Sequence, residues 1–180
     1  MLDRLDCAGR PDIKSFTFEE LEEEITALGE KSFRAKQIFA WLHARGAESF
    51  DGMTDLSAGL RQRLKDSFAL TALKTVGERV SAVDGTRKYL FCLEDGNVIE
   101  SVWMKYHHGN SVCISSQAGC RMGCRFCAST LDGLARNLRA SEMLDQIYRI
   151  QAMTGERVSN VVIMGSGEPL DNYKSEAKRS

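Results

Sequence analysis

Proline is nearly missing from this chain, which has only Pro11 and Pro169 among 180 residues. No charge of one sign prevails either, since 24 Lys and Arg face 25 Asp and Glu for a net charge of −1. A bulk polycation is thereby excluded, so any nucleic-acid contact must come from a local patch. Long apolar runs are absent too: stretches such as residues 161–164 fall far below the roughly 20 residues of a bilayer-spanning helix, and no membrane partner is expected. Residues 1–16 mix Asp3, Arg4, Asp6, Arg10 and Asp12 without an apolar core, so they do not form a secretory signal and a cytoplasmic location is the expectation. What remains, 43% hydrophobic and 27% charged, is the composition of a folded globular chain. The six cysteines are Cys7, Cys92, Cys113, Cys120, Cys124 and Cys127, and the last four crowd within fifteen residues. Without an export signal, such crowding points to metal or redox chemistry before structural disulfides.

Periodicity divides the chain into three parts. In residues 1–70, Thr17 and Glu20 have capping-box spacing, and Phe18, Leu21, Ile25 and Leu28 repeat at helical intervals up to Gly29. Ser32 opens a second helical pattern through Ala35, Ile38, Phe39 and Leu42 to Gly46, and Leu56, Leu60, Leu64 and Phe68 mark a third. Glu19, Glu22, Glu23 and Glu24 make the outer face of the first helix acidic. Lys31, Arg34, Lys36, His43 and Arg45 make that of the second basic, a face that can grip RNA phosphates or simply be solvated. Over residues 71–110 the pattern alternates, with turns at Asp84-Gly85 and Asp95-Gly96-Asn97, which predicts an antiparallel meander. Glu100 shares the parity of Val98, Val102 and Met104. On that otherwise apolar face, burial would raise its pKa and suit it to proton transfer; with the opposite face inward it is a surface carboxylate.

Residues 111–180 change character again. Val112, Cys113 and Ile114 read as a strand, followed by a Gly- and Cys-rich loop. A helix capped by Ser141 then aligns Leu144, Ile147, Tyr148 and Gln151 and ends at Gly155, and residues 160–164 follow as a strand apolar on both faces. That order predicts a βαβ unit with a buried second parallel strand. The loop carries Cys120-Arg-Met-Gly-Cys124-Arg-Phe-Cys127. Three thiolates are one short of a closed zinc site, although Cys113 or a histidine can complete one. They suit an iron-sulfur cubane with one iron left open. Gly165-Ser166-Gly167-Glu168-Pro169 leaves the end of the second parallel strand, so both motifs are expected at one ligand-binding edge, where the Glu168 carboxylate can accept from an ammonium. Alone, such a stretch is an ordinary turn.

Together these motifs resemble the radical S-adenosylmethionine superfamily. The stretches Phe33-Arg-Ala-Lys-Gln-Ile-Phe39, Ile99-Glu-Ser-Val102, Cys113-Ile-Ser-Ser-Gln-Ala-Gly-Cys120, Asn137-Leu-Arg139 and Met164-Gly-Ser-Gly-Glu-Pro-Leu170 resemble its RNA adenine carbon-2 methyltransferases, from about residue 14 to Tyr173. The resemblance implies an α/β fold: a partial radical-SAM (βα) barrel preceded by a small α-helical domain and the β-meander. It also implies that Cys120, Cys124 and Cys127 hold a 4Fe-4S cluster whose open iron chelates S-adenosylmethionine, with Gly167 and Glu168 at the methionine end of that cofactor. Glu100 then corresponds to the family's proton acceptor, and Cys113 to the cysteine that resolves a protein-RNA adduct through a transient disulfide. Implied partners are 23S rRNA, tRNA and an electron donor such as flavodoxin or ferredoxin, with the helical domain associated with RNA recognition.

Carbon 2 of adenine is electron-poor and unactivated, which is why radical chemistry is delegated to a cofactor, and the target base must leave its stack to reach it. Eight βα units take about 250 residues, whereas 70 follow residue 110 and no cysteine follows Cys127. The expectation is therefore a truncated chain that keeps the cluster ligands, lacks the methyl-carrying thiol and does not complete turnover, with residues 161–164 left as an apolar edge. Two alternatives are a Cfr-like adenine carbon-8 methyltransferase and a non-catalytic iron-sulfur or zinc RNA-binding module.

Overall fold

Thr17 and Glu20 satisfy each other's backbone at the head of the first helix: the Glu20 amide donates to Thr17 Oγ1 and the Thr17 amide to Glu20 Oε2 at 2.9 Å. The computed structural model of the chain describes residues 5–173, and Asp3 and Arg4 of the N-terminal reading lie outside them. Two units divide between Ala72 and Leu73. The first holds α1 (Phe18–Ala27), α2 (Phe33–His43) and α3 (Ala58–Ser67), as the three helical patterns predict. Their apolar stripes bury Leu21, Ile25, Ala35, Ile38, Leu42, Leu60 and Leu64 in one core with Ile13, Phe50, Met53 and Phe68. Each large side chain so buried contributes about 1.5–3 kcal/mol. Ser32, read as the α2 cap, makes no capping hydrogen bond and is itself in helical conformation, whereas Ser57 caps α3 by accepting from the Leu60 amide.

The second unit is a five-stranded sheet plus a separate two-stranded hairpin. The meander is β1 (Lys74–Val80), β2 (Arg87–Cys92) and β3 (Val98–Tyr106), and β4 (Gly109–Cys113) adds antiparallel to β3. After α4 (Ala140–Thr154), β7 (Val158–Val162) returns parallel to β4, completing the predicted βαβ unit within the same sheet. One sheet face packs Tyr89, Phe91, Ile99, Trp103 and Val112 with Met143 and Ile150 of α4.

Three readings of this unit are corrected. The α4 cap is Arg139, not Ser141, and the helix buries Ser141, Glu142, Met143, Asp145, Gln146 and Ile150, while the predicted line of Leu144, Ile147, Tyr148 and Gln151 is only partly buried, with Ile147 packed against the core. Its polar buried face is tolerated because hydrogen bonds satisfy it. The second parallel strand is not buried: β7 is the last strand of the sheet, and Val161 and Val162 are 42% and 39% exposed. The hairpin of β5 (Gln117–Gly119) and β6 (Leu134–Asn137) has no counterpart in the sequence reading. Among the described residues no helix is long and apolar enough to cross a membrane.

Candidate functional site

The chain leaves β4 at Cys113 and within a few residues meets every other part of the site. Ser115 is fully buried: its Oγ donates to the Glu100 carbonyl at 2.7 Å and accepts from the Ser166 amide at 3.0 Å. Gln146 of α4 fixes the same residue from the other side, its Oε1 accepting from the Ser115 amide and the Ser101 hydroxyl while its Nε2 donates to the Ser115 carbonyl. One buried amide thus ties α4, β3 and the end of β4 together.

The next residues form the foot of the cysteine loop. Gly119 pairs with Leu134, and the Cys120 amide donates to the Gly133 carbonyl at 3.0 Å, closing residues 120–133 into a loop on the hairpin. Only glycine fits at 119, with φ at +74° and a Cβ that would fall 2.0 Å from that same carbonyl oxygen. Within the loop, the Cys127 amide donates to the Cys124 carbonyl, a turn that sets these two cysteines side by side. Cys120 is buried, Cys127 half-buried and Cys124 exposed, and among the described residues no two cysteines form a disulfide. Among the described residues no three His, Cys, Asp or Glu side chains are gathered as a ready metal site, so the predicted ligands share a loop without yet converging. The donor set nonetheless suits a cluster: three unpaired thiols on one tethered loop, beside a Phe126 ring that is 95% exposed.

The second motif follows β7 and is fastened to the first. The Gly165 amide donates to the Ile114 carbonyl, and the Ser116 and Gln117 amides both donate to the Ser166 carbonyl at 3.0 and 3.1 Å. Gly167, with φ at +108°, lies so close to β5 that a Cβ there would sit 2.6 Å from that of Gln117. Gln117 is fully buried, and its side chain bridges the motifs: Oε1 accepts from the Glu168 amide, while Nε2 donates to Asn137 Oδ1 and Asp171 Oδ2. Glu168 accepts from the Leu170 amide through Oε1 and heads the short helical turn Pro169–Asn172. Asn172, also buried, donates to the carbonyls of Ser116 and Leu138.

Of the two readings of Glu100, a desolvated carboxylate or a surface one, the structure matches the second. Ile99, Ser101 and Trp103 are the buried residues of β3, so Glu100 lies on the half-exposed face, paired with Lys88 at 2.8 Å with its side chain 46% exposed. The inward face is chosen by the packing of α4, which parity alone does not reveal. Cys113 is opposite Val102 in the β3-β4 register, which places it on the same face as Glu100.

A charged cluster braces the foot of the hairpin. Arg136 pairs with Asp95 and, at 2.8 Å, with Glu142, while Arg139 reaches Glu142 and Glu94. Burial alone would raise the Glu142 pKa, but Arg136 and Arg139 outweigh it and hold the carboxyl below its usual range. For Asp95 burial likewise opposes ionisation, and Arg136 with the Asn97 amide brings the group down to about 2. None of Ser115, Gln117, Arg136, Gln146 or Asp171 stands out in the sequence, because each acts on partners remote along the chain. In the helical unit, two of the basic residues lie over aromatic rings, Arg34 at 4.8 Å from Phe33 and Arg45 at 4.2 Å from Trp41.

Comparison with known proteins gives a consistent set of likenesses. Residues 12–70 match the family described as ribosomal RNA large subunit methyltransferase N-terminal domain. The chain is 65% identical over 162 residues to the probable dual-specificity RNA methyltransferase RlmN of Lachnospira eligens, covering 90% of this chain and 46% of that protein. It is 53% identical over 167 residues to the protein of the same description from Bacillus subtilis, covering 91% and 46%. A crystal structure of a radical SAM methyltransferase from Sphaerobacter thermophilus superposes with a TM-score of 0.84 at 42% identity, covering 93% of this chain and 50% of that one. The chain spans about half the length of the curated relatives it matches.

Proposed function

We propose that this chain forms the helical domain and first catalytic segment of a radical S-adenosylmethionine RNA methyltransferase of the RlmN kind, acting on carbon 2 of adenine in 23S rRNA and tRNA. One observation carries the reading. The loop bearing three cysteines and the loop bearing Gly167 and Glu168 are fastened together, with the buried side chain of Gln117 between them, at the carboxyl ends of adjacent parallel strands. That edge is where α/β folds bind ligands.

Cys120, Cys124 and Cys127 would hold the 4Fe-4S cluster. One-electron cleavage of S-adenosylmethionine is the chemistry that group supplies when bound, with an electron from a small donor such as flavodoxin or ferredoxin. The chain's own residues do the rest. Gly167 brings backbone close to the cofactor's methionine end, and Glu168 offers a carboxylate to its ammonium. Glu100 is the proton acceptor for the adenine ring, oriented by its ion pair with Lys88. Cys113, on the same sheet face, resolves the protein-RNA adduct. The basic face of α2 supplies phosphate contacts to RNA.

Anaerobic reconstitution with iron and sulfide tests this reading. The parent chain is expected to bind about four irons, as one cubane, and to change its absorption spectrum on addition of S-adenosylmethionine, and Cys124→Ala is expected to lose both properties. A colourless chain holding one zinc would overturn it in favour of a zinc-binding module.

A further inference from the structure

Arg121 directly follows the first cysteine of the loop and reaches across to the turn after the Gly-Glu motif. Its Nε donates to Asp171 Oδ2 at 2.8 Å, and its second terminal nitrogen pairs with Asp171 Oδ1, so the guanidinium engages both carboxylate oxygens. Surface ion pairs commonly contribute little, but this one has further support. The Asp171 side chain is only 15% exposed, and Oδ2 also accepts from the fully buried Gln117 amide at 2.9 Å. Gln117 simultaneously accepts from the Glu168 amide and donates to Asn137 at the opposite foot of the hairpin. The guanidinium and the buried amide hold the Asp171 carboxyl below its usual range.

The geometry points to Arg121 and Asp171 as a positioning pair that latches the cysteine loop onto the Gly-Glu loop before any cofactor is present. The pair thereby sets the placement of the thiols relative to Gly167 and Glu168. This inference rests on the cysteine loop being the cluster site, and neither Arg121 nor Asp171 need touch the cofactor. A loop joined to the sheet only through its hairpin feet would be free to swing about them. The latch adds a charged, two-pronged attachment one residue beyond Cys120, beside the longer contact of Ser129 Oγ with Ser166 Oγ at 3.4 Å, and so restrains that swing.

Two measurements on the full chain test the latch. Without metal, trypsin cleavage after the exposed Arg125 reports loop opening. Asp171→Ala and Arg121→Ala are each expected to speed that cleavage about fivefold or more, and the double variant no further, while the urea midpoint of the second unit stays close to that of the parent. The charge-swapped Arg121→Asp/Asp171→Arg chain is expected to recover part of the protection. After anaerobic reconstitution, the single variants are expected to keep the parent's iron content but bind S-adenosylmethionine about tenfold more weakly by absorption titration. Parent-like cleavage in both single variants overturns the latch. A parent chain that takes up no iron overturns the cofactor reading on which its purpose depends, and the cleavage rates then still report whether the two loops are joined.

Discussion

At the scale of single residues, the site depends on positions where nothing larger than hydrogen fits. Gly119 is the sharpest case, because a methyl there would collide with the carbonyl that anchors the Cys120 amide. Gly119→Ala is expected to destabilise the second unit by about 2–4 kcal/mol, read from urea unfolding followed by circular dichroism. Gly123→Ala in the same loop, with no atom within 4 Å of the added carbon, is expected to cost about 1 kcal/mol. Equal losses at the two positions would show that the hairpin foot is not what holds the loop. The cysteine spacing and the Gly-Glu motif were legible in the sequence because each is a local pattern. Gln117, Asp171 and Ser115 were not, since a buried polar residue declares its role only through partners brought from elsewhere; Gln117 and Asp171 are 54 residues apart.

At the scale of elements, helices and meander followed their periodicities, and errors arose where long-range polar contacts override them. The inward face of α4 is the clearest example. Glu142, Asp145 and Gln146 are buried because Arg136 and Arg139, the Leu73 amide, and Ser101 with Ser115 await them. A hydrophobic-face rule finds Ile147, which packs against the core, but misses the polar residues buried beside it. The cluster also makes the unit acid-sensitive. Glu142 and Asp95 have folded-state pKa values below their ordinary 4.5 and 3.8. A lowered folded value means that the folded state binds fewer protons, so the contribution is complete above the ordinary values. It fades as pH falls through the folded ones, down toward about 2 for Asp95. Urea midpoints are therefore expected to drop between about pH 5 and about pH 2. Glu142→Gln is expected to flatten part of that slope and to cost roughly 3 kcal/mol at neutral pH, because two arginines lose their buried partner. A pH profile unchanged by the substitution would exclude Glu142 as its source.

At the scale of the whole chain, the sheet in the second unit has two unlike borders. β1 is irregular between Thr75 and Gly77 and carries Lys74, Glu78 and Arg79, features that discourage pairing with another strand. β7 has no such protection: Val161 and Val162 are partly exposed, and Met164 just beyond is 77% exposed. The chain is expected to self-associate through this border, and Val161→Lys to lower light scattering at a given concentration severalfold without loss of secondary structure. Scattering unaltered by that change would place the sticky surface elsewhere. The sequence had marked residues 161–164 as both a core strand and a hazard, and the second description matches the exposure seen. The hairpin beneath the cysteines has a different implication. Because its two feet and the latch carry the placement, the residues around Cys124 and Cys127 from Met122 to Asp132 can change in composition while the anchorage and the cysteine spacing stay put. A scaffold of this kind lets evolution, or an engineer, exchange the reactive insert as a cassette and leave the sheet beneath it untouched.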